Sequence, residues 1–133
     1  MRTTKSSMEV SIFVVIEING QQWSVEKVDA HHPGLFVEGT ARRGAAWCGQ
    51  AEIYLSNELK GDQVARVAMH ELAHAYIYST QAITPEAWSE EDVCELCALY
   101  AWEMSALCQA VVRELYPEVK LRAWSEVLKE ARL

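Results

Sequence analysis

The hydrophobic pattern of the N-terminal half of the chain is that of β-strands. The run over 10–18 is rich in β-branched residues, the run over 22–28 alternates apolar and polar positions, and the two flank the dipeptide Asn19-Gly20. Asn-Gly is a strong hairpin signal, because both central residues of its turn need positive φ. Two more strands are predicted, separated by a loop, over 35–38 and 51–56 with the loop at 39–49.

From residue 61 onward the apolar positions recur every three or four residues, the period of an amphipathic helix. Three helices are predicted: 62–79, a second from a cap at Thr84 or Ser89 to about 115, and a third after Pro117 over 118–131. The pattern therefore indicates an α+β domain. In it, a small, mostly antiparallel N-terminal sheet packs on a C-terminal layer of three helices.

Size and charge narrow the class of protein. The chain has 133 residues, half of them apolar, which predicts one domain over 1–133 with residues 1–8 disordered. The net charge of −7 would repel a phosphate backbone, so we expect no nucleic-acid partner, and the only tight basic cluster is Arg42-Arg43. The apolar run at 10–16 is too short to cross a membrane and lacks a cleavage site. We therefore expect a cytoplasmic protein without a membrane partner.

Four cysteines occur, at positions 48, 94, 97 and 108. Three of them fall in the apolar second helix, where we interpret them as small buried hydrophobes rather than disulfide partners. Cys94 and Cys97 form C-x-x-C, but no second pair lies at zinc-site spacing, so a core role is favoured. The sequence does not decide whether Cys48 is reactive.

The first predicted helix contains His70-Glu71-Leu72-Ala73-His74. Residues four apart lie on one face of a helix, so the two imidazoles can share one metal ion. Zinc lowers the pKa of a water bound to it to about 7, and a neighbouring carboxylate such as Glu71 can then accept its proton. The pattern predicts a zinc site of hydrolytic type.

A catalytic zinc site needs three protein ligands and one open position. No histidine follows His74, so the third ligand is expected from the acidic start of the second helix, where Glu90, Glu91, Asp92 and Glu95 are candidates. Glu91 and Glu95 lie one turn apart, so one can bind metal while the other orients an imidazole. We favour Glu91 as the ligand and Glu95 in support, and the reverse stays open.

The segments HELAHAY at 70–76 and EEDVCELCA at 90–98 resemble the ImmA/IrrE-type zinc metallopeptidase-like proteins of bacteria, phages and mobile elements. The resemblance covers roughly 51–100 and implies a minimal gluzincin: a zincin-like core with a strand edge that aligns a peptide. Carried onto this chain, it implies His70, His74 and Glu91 as zinc ligands and Glu71 as the catalytic residue. The cysteines of the second helix depart from the family pattern.

Two functions are therefore weighed. The first is a zinc-dependent metallo-endopeptidase acting on a protein or peptide substrate, which in the family is often a regulatory protein. The alternative is a catalytically weak or inactive peptidase-fold module that binds such a protein without cutting it. An oxyanion donor besides zinc is expected, and Tyr76, Tyr78, His31 and His32 are unranked candidates. The sequence leaves the oligomeric state open.

Overall fold

The computed structural model describes residues 2–5, 10–80, 89–121 and 124–131. Within them the strands are β1 (Arg2–Lys5), β2 (Val10–Ile18), β3 (Gln21–Val28), β4 (Phe36–Val37), β5 (Thr40–Ala41), β6 (Gly44–Trp47) and β7 (Glu52–Ser56). The helices are α1 (Asp62–Thr80), α2 (Glu90–Leu115) and α3 (Trp124–Ala131). The predicted α+β class is confirmed. Disorder over 1–8 was expected, and Arg2–Lys5 instead form β1; residues 1 and 6–8 lie outside the described residues.

Five strands form the main sheet in the order β1-β2-β3-β7-β6, and β4 pairs with β5 in a separate ribbon. Neighbours in the main sheet are antiparallel except β3 and β7, which run parallel. The sheet is thus mostly antiparallel, as predicted. Strand β7 is internal, and β6 forms the edge beside it.

The predicted hairpin is confirmed at the turn between β2 and β3. Ile18 pairs with Gln21, and the two residues between them have positive φ, 49° at Asn19 and 84° at Gly20. Two residues with positive φ match the right-handed twist of the flanking strands. The side-chain amide of Asn19 donates a hydrogen bond to Ser79 Oγ at 2.8 Å, which ties the turn to the end of α1.

The prediction of a loop over 39–49 is wrong, because β5 and β6 lie within it. Strand β6 reads Gly-Ala-Ala-Trp, which shows no alternation of polar and apolar side chains. Glycine at position 44 is required by a close approach to α1. A Cβ atom on Gly44 would stand 2.6 Å from Val67 Cγ1 and 3.1 Å from Glu71 Cγ.

The first two helices follow their sequence signals closely. Helix α1 ends one residue past its predicted end, and α2 begins directly after Ser89. The Ser89 side chain accepts a hydrogen bond from the backbone N–H of Asp92, and the Asp92 carboxylate accepts one from the backbone N–H of Ser89. This reciprocal capping satisfies two donors that the helix leaves unpaired. The alternative cap at Thr84 lies outside the described residues. Helix α3 begins at Trp124 rather than 118, because the chain after Pro117 turns through a hydrogen bond from Val119 N–H to Tyr116 C=O at 2.9 Å.

The main core lies between the sheet and helices α1 and α2. Its largest fully buried side chains include Trp23, Ile53, Leu72 and Tyr76. A polar contact also crosses the layer, since the Tyr116 hydroxyl donates to Ser56 C=O at 2.7 Å. None of the described helices is long and apolar enough to cross a membrane.

The expectation that the cysteines of α2 are buried is wrong for two of the three. Cys108 is buried, whereas Cys94 and Cys97 are exposed, and all four thiols are free. The N-terminal half of α2 turns this face to solvent, where Leu99 is 61% exposed and Trp102 is 80% exposed. Apolar composition alone did not indicate which side of the helix is covered.

The thiols should differ in their rates of alkylation in the folded protein. At pH 8 we expect Cys94 and Cys97 to react quickly and Cys48 slowly. Cys108 should react only after unfolding, because burial blocks access and raises its pKa to about 11. Mass spectrometry of the labelled peptides measures each rate. Labelling of Cys108 as fast as Cys97 in native buffer would contradict the described packing of α2.

Candidate functional site

Three of the predicted site residues stand together on the middle of α1. His70 and His74 are exposed, one helical turn apart, with ring centroids 4.9 Å from each other and ring planes at 74°. Glu71 lies between them in sequence but is only 7% exposed. The helix therefore shows two imidazoles to solvent and directs the carboxylate toward the sheet, as positions 100° apart around its axis require.

The wall against which Glu71 packs is the edge strand β6. A Cβ on Gly44 would lie 3.2 Å from Glu71 Oε2, so glycine at this position leaves room for the carboxylate. No hydrogen bond to the Glu71 side chain is found in the described part of the chain. A buried carboxylate without hydrogen bonds is costly to ionise.

The electrostatics of Glu71 reflect two opposing effects. Burial raises the pKa of Glu71, while the positive charges of His70 and Arg42 oppose that rise. A carboxylate whose pKa is raised toward neutrality is a stronger proton acceptor than an ordinary exposed one. Arg42, which the sequence did not single out for this role, therefore belongs to the surroundings of the site.

The protonation state of His74 suits a metal ligand. Burial, followed by the charge of His70, lowers the pKa of His74. A lowered pKa keeps the imidazole neutral at physiological pH, and the neutral ring is the form that binds a metal. These two histidines therefore fit the requirement for two ligands of a zinc ion.

Cys48 is the further residue that the structure brings to this place. Its thiol is half-buried and lies 3.9 Å from His74 C=O, to which it donates a weak hydrogen bond. Burial and the Glu71 carboxylate raise the pKa of Cys48, so the thiol form is favoured over the reactive thiolate. The short helical turn Cys48–Gln50, directly after β6, places it here.

The structure does not bring Glu91 or Glu95 to the imidazole pair. Both are exposed in the first turns of α2, and Glu95 lies beside Ser79 and Thr80 at the end of α1. Among the described residues, no three His, Cys, Asp or Glu side chains form a group that could hold a metal ion.

The reason lies in how the two helices pack. Tyr76 contacts Tyr100 of α2 with ring centroids 5.0 Å apart, and it lies about 200° around the helix axis from His74. The imidazoles therefore point away from α2. Glu91 also precedes Tyr100 by nine residues, about 13 Å along the helix axis, which carries it past the end of α1.

The candidate oxyanion donors are dispersed. Tyr76 is fully buried, and burial together with the Glu103 carboxylate raises its pKa. His32 stacks on the Tyr54 ring at a centroid distance of 5.1 Å, beside the exposed His31. Tyr78 is 44% exposed near the end of α1. The charged residue outside α1 whose electrostatic effect reaches Glu71 is instead Arg42, which lowers the pKa of Glu71.

Comparison with protein-family models, with curated proteins and with solved structures returns no match. The function is therefore argued from the site itself.

The contact between β6 and α1 can be tested through Gly44. We expect Gly44→Ala to lower the free energy of unfolding by about 1–3 kcal/mol, because the added methyl group overlaps Val67. Urea unfolding measures the change. Gly49→Ala is the matched control, since a Cβ there meets nothing within 4 Å, and it should stay within about 0.5 kcal/mol of the parent. Equal losses in both variants would contradict the close approach.

Proposed function

We propose that this chain is a zinc-dependent metallopeptidase-like hydrolase that acts on a protein or peptide in the cytoplasm. The observation that carries the proposal is the arrangement on α1. Two solvent-facing imidazoles one turn apart flank a carboxylate that is buried against an edge strand. The resemblance of residues 70–76 and 90–98 to the ImmA/IrrE-type proteins also supports it.

Each residue has a distinct role in this proposal. His70 and His74 hold the metal through their ring nitrogens, and the lowered pKa of His74 favours the neutral ring that binds a metal. A bound zinc ion would supply the acidification of a water molecule near neutral pH. Glu71 accepts the proton of that water and passes it on to the leaving amine. Its raised pKa favours the first of these steps, the acceptance of the proton.

The substrate is proposed to lie extended along β6. In the described part of the chain, β6 pairs with β7 on one side and has no strand on its other side. An exposed strand edge binds an extended peptide through main-chain hydrogen bonds. Gly44 sits on this strand next to Glu71, so such a peptide would pass close to the proposed base.

The third metal ligand stays a prediction. Glu91, with Glu95 in support, is the assignment that the sequence and the resemblance favour. The described residues hold the two histidines together without either glutamate. That observation favours the second candidate function, a peptidase-fold module that binds a regulatory protein and does not cut it.

Zinc should stabilise the folded chain. Because a ligand that binds only the folded state adds RT ln(1 + [L]/Kd), zinc at one hundred times Kd should add about 2.7 kcal/mol to the free energy of unfolding. Thermal melts with zinc and with chelator measure this. The gain should vanish in His70→Ala and His74→Ala and persist in the control His31→Ala.

The same melts identify the third ligand. Loss of the zinc effect in Glu91→Ala but not in Glu95→Ala would support the favoured assignment, and the opposite pattern would reverse it. A parent protein whose melting temperature is the same with zinc and with chelator would contradict the metal site altogether.

Glu71→Gln tests the chemistry separately from the metal. We expect it to retain zinc and to lower the rate of peptide hydrolysis by about 10²–10⁴-fold, because the amide cannot accept a proton. Mass spectrometry of a digested peptide mixture gives the rate, and Glu58→Gln, at an exposed position after β7, is the matched control. Equal rates in the parent and Glu71→Gln would refute the mechanism. A stable partner complex with both proteins intact would favour the binding module.

A further inference from the structure

Arg42 and Arg43 form the only adjacent pair of basic residues in a chain of net charge −7. They lie between β5 and β6, and both are exposed. The proposed chemistry at His70, Glu71 and His74 assigns neither arginine a contact with the substrate. A local positive charge on an acidic protein creates a place where anions are attracted rather than repelled.

The backbone of the pair is fixed on both sides. Arg42 N–H donates to Leu35 C=O at 2.8 Å, and Arg43 C=O accepts from Ser56 N–H at 2.9 Å. The first bond ties the pair to the turn before β4, and the second ties it to the end of β7. The two side chains therefore extend from a positioned segment of backbone at the start of β6.

Arg42 lies close to the proposed base. Gly44, two residues further along, approaches Glu71 so closely that a Cβ there would be 3.2 Å from Glu71 Oε2. Two residues of a strand span about 7 Å, a distance that an arginine side chain can cover.

The guanidinium of Arg42 is available for a ligand. In the described part of the chain, no hydrogen bond or ion pair engages it, even though Glu71 lies near. A guanidinium presents paired N–H donors that match the two oxygens of a carboxylate.

We propose that Arg42 binds a carboxylate of the substrate and thereby selects peptides that carry a negative charge near the site of attack. This inference rests on the proposed function for the path of the peptide along β6. The carboxylate can belong to an aspartate or glutamate side chain or to the C-terminus of the peptide, since both present the same two oxygens.

The alternative is that Arg42 acts only as a counter-ion that helps Glu71 to ionise. Both roles predict that removal of Arg42 changes activity, so activity alone does not separate them. They differ in binding, because a counter-ion to Glu71 gives no preference between acidic and neutral peptides.

The probes are short fluorescent peptides. In each peptide one position carries Glu, Gln or Lys, and the set covers every position in turn. Each peptide is made with a free and with an amidated C-terminus. Binding to the zinc-loaded Glu71→Gln chain is measured by fluorescence anisotropy, and cleavage by the zinc-loaded parent is followed by mass spectrometry. We expect at least one position where Glu binds about tenfold more tightly than Gln, or a similar gain for the free terminus, and weaker discrimination at high salt.

The added substitution Arg42→Met should reduce this discrimination to less than about twofold, and Arg42→Lys should retain part of it, since lysine keeps the charge without the paired donors. Arg43→Met is the matched control, and Arg113→Met, at an exposed position in the last turn of α2, is a second. Both control variants should discriminate between acidic and neutral peptides as strongly as the protein that keeps all its arginines.

The inference is overturned if acidic and neutral peptides bind equally, if no peptide binds, or if discrimination survives Arg42→Met. Its failure is distinct from failure of the proposed function. If peptides are cleaved without a preference for negative charge, only the role of Arg42 is contradicted. If binding depends on Arg42 but no peptide is cleaved, the peptidase function is contradicted and the protein binds acidic peptides without cutting them. Loss of preference on amidation identifies the C-terminus as the source of the carboxylate, and its persistence identifies a side chain.

Discussion

The close approach of strand β6 to helix α1 is the constraint on which the candidate site depends. Because residue 44 has no side chain, the strand reaches the helix closely enough to bury Glu71 while the neighbouring imidazoles stay in solvent. Within the described residues β6 is an edge strand of the main sheet, so the same approach places that edge beside the carboxylate. A bulkier residue there would push strand and helix apart. The burial of Glu71, its orientation toward the sheet and its proximity to the edge strand would then be lost together.

The electrostatic character of the site follows from this one contact. A carboxylate removed from water favours its protonated form, and only positive charge nearby restores ionisation. His70 supplies that charge from the same helix and Arg42 supplies it from across the contact. The proton affinity of Glu71 is thus determined jointly by two elements that are far apart in sequence.

Features that depend on neighbours in sequence were predictable, and those that depend on distant packing were not. Asn19-Gly20 and the cap at Ser89 act within a few residues, so the pattern identified the hairpin and the start of α2. The imidazole pair followed from helical spacing alone. Strand β6 carries no periodic signal, and the position of Glu91 relative to the histidines depends on how α2 lies against α1. Helical periodicity determines which residues share one face of a helix, but it does not determine which other element packs against that face.

The parallel pairing of β3 with β7 has a consequence for the order in which the molecule assembles. The hairpin of β2 and β3 closes over two residues, whereas β7 reaches β3 only after the long segment 29–51 has been looped back. Closure entropy makes such a distant pairing slower than the local one. Strand β6 pairs with β7, so we expect the contact between Gly44 and Glu71 to form after the hairpin and after the helical turn that carries the histidines.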